Sequence, residues 1–151
     1  MSEERETRRE SSCPARFAWG GHRGALIMCI DDDAHSRHVT RDVIEHAGHG
    51  FLGVGSGAEC LALLQRTNPR IILLDIIMPE MDGYETCRRI RLHYPLLRAR
   101  IIYVTALGSP EDVTRALGTD ADDYIVKPYR AERLRERIQH WLREGPRELE
   151  P

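Results

Sequence analysis

Several things are scarce in this chain, and each scarcity removes a class of function. Of 22 basic residues only Lys127 is a lysine, and the rest are arginines. These basic residues are interspersed with 24 acids, the formal net charge is −2, and no basic stripe forms. The composition therefore implies no nucleic-acid partner. The four cysteines, Cys13, Cys29, Cys60 and Cys87, form no Cys-x-x-Cys pair. Three of them lie in periodic apolar segments, where a free thiol behaves as a small hydrophobe, so a reducing, cytoplasmic setting without disulfide or structural metal is expected. No apolar run approaches the roughly 20 residues of a membrane span, and the charged amino terminus has no apolar core. Neither a membrane partner nor a targeting segment is expected. A position that needs a compact, strongly hydrated ammonium rather than a planar fork would account for the single lysine.

What is present is a regular alternation. With 151 residues the chain fits one domain, able to bury roughly 70% of its unfolded surface. Residues 1–24 carry no periodicity and read as a disordered arm whose Phe17 and Trp19 could dock; 25–143 read as the folded domain and 144–151 as a polar tail. Ala25 to Ile30 predicts a buried strand, and Asp33 caps a helix presenting Val39, Val43, Ile44 and Ala47 on one face. His49 to Val54 predicts a weaker strand, and Gly57 to Arg66 a helix with Leu61, Ala62 and Leu64 at helical spacing. Asp82-Gly83 reads as a turn and cap before a helix to His93, with Tyr84, Cys87, Ile90 and Tyr94 inward and Arg88, Arg89 and Arg91 mostly outward. Arg100–Thr105 and Asp123–Val126 predict two further strands. Ser109-Pro110-Glu111 opens the helix between them, and 130–143 closes the domain on Leu134, Ile138, Trp141 and Leu142. The spacings His35/His38 and His46/His49 suit zinc, but solvated helix histidines are the commoner outcome. Five strands alternating with five helices demand parallel pairing, right-handed crossovers and a three-layer α/β sandwich.

Residues 71–83 read Ile-Ile-Leu-Leu-Asp75-Ile-Ile-Met-Pro-Glu-Met-Asp-Gly. A run this apolar suits a central parallel strand, and ligands of open α/β sheets gather where such strands end. The polar strand ends are Asp31 and Asp32, Asp75, Thr105 and Lys127. That order, over residues 25–143, resembles the CheY-like receiver domain of two-component response regulators. The resemblance implies the flavodoxin-like strand order 2-1-3-4-5, for which CheY is itself a standard example. It also implies a bound Mg²⁺, held directly by Asp32, Asp75 and the main-chain carbonyl of Ile77, with Asp31 acting through water. Three converging carboxylates repel one another and favour a hard divalent cation with oxygen ligands.

By the same resemblance Asp75 accepts a phosphoryl group from a histidine kinase or a histidine phosphotransfer protein, and Thr105 and Lys127 hold the phosphoryl oxygens. Thr105 and Tyr124 form the switch, and a downstream protein target reads the face of the fourth helix, fifth strand and fifth helix. Ile77 and Leu107, two residues beyond Asp75 and Thr105, tune phosphate lifetime, and Lys127-Pro128 corresponds to a cis bond of the family. Asp120 stands where the family pattern has glycine, so a strained or reshaped loop is expected there. Eight residues follow Arg143, so a stand-alone receiver is expected, one that phosphorylates itself without turnover. The rival readings are a Mg²⁺-dependent hydrolase with Asp75 as nucleophile, which needs a second acid and a substrate cap, and a constitutive receiver-fold scaffold.

Overall fold

A computed structural model describes residues 24–149. The expected arm, with Phe17 and Trp19, lies almost wholly outside the described residues. The described elements are β1 (Leu26–Ile30), α1 (Ala34–His46), β2 (Gly50–Val54), α2 (Gly57–Leu63), β3 (Ile71–Leu74) and α3 (Gly83–His93). They continue as β4 (Arg100–Thr105), α4 (Pro110–Leu117), β5 (Asp123–Val126) and α5 (Ala131–Glu144). All strand pairs are parallel, and the sheet order is β2-β1-β3-β4-β5. This is the flavodoxin-like sandwich the sequence predicts.

Alternation along the strands divides the core in two. Met28, Ile30, Ile72, Leu74, Ile101 and Tyr103 face α2, α3 and α4, where Cys60, Leu64, Cys87, Ile90 and Ala116 meet them. Ile27, Cys29, Ile71, Leu73, Ile102 and Val104 face α1 and α5, against Ile44, Leu134 and Ile138. Every β3 side chain is buried, and each such residue contributes on the order of 2 kcal/mol by transfer from water. That burial is what anchors the end of β3, where Asp75 follows. Asp33, Ser56, Asp82 and Ser109 cap α1, α2, α3 and α4 by accepting from a backbone N–H of the first turn.

Several local expectations need correction. On α1 the buried positions are Thr40 and Ile44, while Val39 is 43% exposed and Ala47 is exposed too; the Thr40 hydroxyl bonds the Tyr129 hydroxyl at 2.9 Å, which turns the helix toward the polar pair. On α2 Cys60 and Leu64 face inward in place of Ala62, and the helix stops at Leu63, whose carbonyl the Thr67 hydroxyl caps. Arg91 is not outward, since its guanidinium donates to the Ala99 carbonyl and pairs with Asp122. His49 is half-buried, with Nδ1 accepting from Ala25 N–H at 3.1 Å, and is not a solvated helix residue. Within the polar tail residues 145–147 are docked: Arg147 N–H donates to the Arg98 carbonyl and Arg98 Nε to the Arg147 carbonyl, both at 2.8 Å. Nor is Asp120 strained. Among the described residues Glu80 alone of the non-glycines has positive φ, and the Asp120 carbonyl accepts from Arg91 and Arg147 instead.

Candidate functional site

The backbone ladder runs one residue beyond the strands at their carboxyl ends. Asp31 N–H donates to the Val54 carbonyl, Asp75 N–H to the Ile30 carbonyl and Lys127 N–H to the Thr105 carbonyl, at 2.8–3.1 Å. Two carboxylates and one ammonium are thereby fixed to the sheet rather than to mobile loops. One oxygen from each of Asp31, Asp32 and Asp75 lies within 4.8 Å of the others. Lys127 Nζ reaches between them, 2.6 Å from Asp31 Oδ2 and 3.2 Å from Asp75 Oδ2. The remaining oxygens are also engaged: Asp33 N–H donates to Asp31 Oδ1 and Ile77 N–H to Asp75 Oδ1. Asp31 is buried, Asp75 half-buried and Asp32 exposed.

The electrostatics follow from that burial. Loss of water raises the Asp75 carboxyl above its ordinary range; the neighbouring Asp31 adds to the rise and Lys127 opposes it. Burial also works against the Lys127 ammonium, but its bond to Asp31 and the charges of both aspartates outweigh it and hold its pKa up. Behind the site, burial and then the Asp31 charge push the Cys29 thiol up to about 12, so it is an inert filler.

Thr105, the last residue of β4, is fully buried, and its hydroxyl accepts from Leu107 N–H at 3.4 Å. The Leu107 carbonyl in turn accepts from the Tyr124 hydroxyl. Thr105 and Tyr124 are therefore tied to the same residue from opposite sides. Tyr124 is 8% exposed, further in than a half-buried strand tyrosine, and its ring meets Tyr103 edge-on at 6.3 Å. The Ile77 side chain stands on the rim at 55% exposure, and the Lys127–Pro128 bond is cis.

Two residues that hold the site escape sequence reading. Arg37 Nη1 donates to the Asp31 carbonyl at 2.6 Å and pins the β1–α1 turn; nothing distinguishes it among so many arginines. Gly83 was legible only as a turn residue, yet a Cβ there would stand 2.3 Å from the Asp75 carbonyl oxygen and 2.6 Å from Ile76 Cα. The first turn of α3 can pack against the end of β3 because position 83 has no side chain.

The model of the response regulator receiver domain matches residues 27–139. Transcriptional regulatory protein AfsQ1 of Streptomyces coelicolor is 38% identical over 122 residues, which cover 81% of this chain and 53% of that protein. The DNA-binding dual master transcriptional regulator RpaA of Synechocystis is 31% identical over 121 residues, 80% of this chain and 50% of that protein. The chain thus spans about half the length of the curated relatives it matches. RpaA is DNA-binding by its name, which counts against reading the absence of a nucleic-acid partner from composition alone. A CheY-like receiver domain protein from Methanospirillum hungatei superimposes with a TM-score of 0.73 at 29% identity, covering 80% of this chain and 95% of that one. Among the described residues no helix is long and apolar enough to cross a membrane. Fold, strand-end chemistry and matched sequence agree, and the chain belongs to the response regulator receiver domain family.

Proposed function

We propose that Asp75 is the phosphoacceptor of a two-component or phosphorelay system, taking its phosphoryl group from the histidine of a kinase or phosphotransfer protein. The observation that carries this reading is the convergence of Asp31, Asp32 and Asp75 within 4.8 Å around a lysine ammonium. An Asp75 carboxylate oxygen forms a bond to phosphorus while the phosphorus–nitrogen bond of the donor breaks, and the imidazole leaves with a proton. The three carboxylates carry more negative charge than one ammonium offsets, and they suit Mg²⁺. Asp32, Asp75 and the Ile77 carbonyl would hold it directly. Asp31 is buried and holds the shorter of the two Lys127 contacts, 2.6 Å against 3.2 Å for Asp75, which supports an indirect role for that residue. Bound there, Mg²⁺ supplies charge neutralisation for the phosphoryl oxygens.

On this reading Lys127 exchanges a carboxylate partner for a phosphoryl oxygen, and Thr105 donates its hydroxyl to another. Thr105 Oγ1 then releases Leu107 N–H, and the Leu107 carbonyl, held by Tyr124, moves with it. The outcome is a biased two-state equilibrium at the face of α4, β5 and α5, which a downstream partner reads. Ile77 and Leu107 shield the acyl phosphate from water. The test is incubation with Mg²⁺ and acetyl phosphate followed by intact mass. A retained phosphoryl group that disappears in Asp75→Ala is the expected result. Turnover of acetyl phosphate without retention would indicate the hydrolase, and no reaction the scaffold; either overturns the proposal.

A further inference from the structure

The sheet has a second concave feature at its other edge, where the strands begin. A groove of about 310 Å³ lies between the residues entering β3, those entering β4 and the last turn of α5. Its walls are Pro69, Leu96, Trp141 and Leu142, with the docked Gly145-Pro146 segment as one lip. Arg70 and Arg98 also line it. The size falls at the lower end of the range for small-molecule sites, and flat apolar walls with a few polar groups are their usual character.

The charges around it are unbalanced in one direction. The aspartates at this edge are committed elsewhere: Asp122 pairs with Arg91, Arg100 and Arg147, and Asp123 with Arg137 and the Trp141 indole N–H, while Glu144 and Glu148 beside the lip form no ion pair with Arg70 or Arg98. Among the described residues Arg70 makes no ion pair and no side-chain hydrogen bond, and Arg98 uses only Nε, on the Arg147 carbonyl. Arg100 stacks over the Trp141 ring at 4.8 Å from its centroid. Among the described residues two arginines without an ion-pair partner therefore line an aromatic and aliphatic slot. Guanidinium forks match carboxylate and sulfonate oxygens in pairs, while the slot accepts the body of the same molecule.

From this we propose that the groove is a binding site for a small organic anion with a flat apolar body, such as an aryl carboxylate, with Arg70 and Arg98 taking the anionic group. It lies at the opposite sheet edge from Asp75, and its lip is the segment latched through Arg98 and Arg147, so a ligand there would brace the way residues 145–147 leave α5. The site does not depend on the role proposed for Asp75.

The probe is anilinonaphthalenesulfonate, titrated into the full chain and followed by its fluorescence and by two-dimensional NMR. Expected are one saturable site and movement of the Trp141 indole resonance together with the backbone resonances of Arg70 and Arg98. Arg70→Gln and Arg98→Gln should each weaken binding about ten-fold, the loss of one charge-assisted contact. Arg70 is exposed and has no side-chain partner to lose, so the urea midpoint of Arg70→Gln should match the parent and its weaker binding then reports the lost charge; Arg98→Gln also gives up the Nε contact to the Arg147 carbonyl and is read beside it. Uncharged anilinonaphthalene should bind far more weakly. Absence of saturable binding, binding indifferent to both substitutions, or NMR changes elsewhere would overturn the proposal. So would binding seen only after Phe17→Ala and Trp19→Ala, because the chain's own amino-terminal residues would then be the occupant.

Discussion

Replacing Lys127 by methionine tests the site most directly, because it removes a charge while keeping the apolar stem. The ammonium sits 2.6 Å from Asp31 and 3.2 Å from Asp75, and the three side chains are 23%, 6% and 12% exposed. At an effective dielectric of about 20 these contacts represent roughly 5–6 kcal/mol of attraction each before desolvation. Carboxylates within 4.8 Å of each other repel by roughly 3.5 kcal/mol on the same scale. Breaking a buried pair by deleting one partner costs about 3–5 kcal/mol, and the open side of this edge reduces that to about 2–3 kcal/mol. For a domain of this size the melting temperature should fall by roughly 6–12 °C in EDTA. With its internal cation gone, the carboxylate cluster should bind Mg²⁺ at least about ten-fold more tightly. Saturating Mg²⁺, at about a hundred times its dissociation constant, would return about 2.7 kcal/mol and restore most of the loss. Urea titrations with EDTA or Mg²⁺, and calorimetric titration of Mg²⁺, measure both effects. A variant as stable as the parent in EDTA, or one that binds Mg²⁺ less well, would refute the reasoning.

Gly83→Ala should destabilise by about 2–3 kcal/mol and slow phosphoryl transfer from acetyl phosphate, because the new methyl group displaces the Asp75 and Ile76 backbone; an unchanged rate and urea midpoint would contradict the close approach. Burial and Asp31 raise the Asp75 carboxyl, so its ionised form destabilises the metal-free fold at neutral pH. Asp75→Asn should therefore raise the urea midpoint at pH 7, by an amount that shrinks as acid protonates the parent in both states. Burial, with the Arg70 charge, holds the His49 imidazole below the ordinary histidine range, so the unfolded chain takes up the proton first. The stability tied to His49 should be full above about pH 6.5 and decline below it, and His49→Asn, which keeps an acceptor for Ala25 N–H, should flatten that slope in urea midpoints. Ile77→Asn should speed loss of a retained phosphoryl group several-fold by intact mass, since the apolar rim residue is 55% exposed; an unchanged lifetime would dismiss shielding.

The strands were legible because they obey one rule each. Ile71 to Leu74 is apolar at every position, as a strand covered on both faces must be, and the buried row confirms it. The strand-end polar residues stood out for the complementary reason: Asp31, Asp32, Asp75, Thr105 and Lys127 each break an apolar pattern at the same edge, and their joint order pointed to a site where one carboxylate alone would not. Helix faces were less so. Val39 and Thr40 differ by one step on α1, and only the Tyr129 hydroxyl, 89 residues away, decides that the threonine turns inward. Arg91 and Arg147 gave no signal because their partner Asp122 is distant in sequence for both. Asp120 misled for a related reason: the expected strain concerned the loop's backbone alone, whereas its conformation is set by two arginines from other elements.

The scarcity of lysine acquires a physical meaning once both edges of the sheet are compared. Where the strands begin, Asp122 receives Ile101 N–H and three arginines, and Asp123 receives Arg137 and Trp141. A guanidinium fork is planar and satisfies two acceptors at set angles, so these contacts immobilise the entry to β4 and β5. Where the strands end, the requirement is reversed. The cation holds Asp31 and Asp75 together and, under the phosphoacceptor role proposed for Asp75, would give up an oxygen of one carboxylate to a phosphoryl oxygen. An ammonium does this without realigning a plane, because its three donors rotate freely about a single nitrogen. A chain that uses arginine at every other basic position and lysine at 127 has put the rigid cation where the fold is anchored and the adaptable one where the proposed transfer would change its partner.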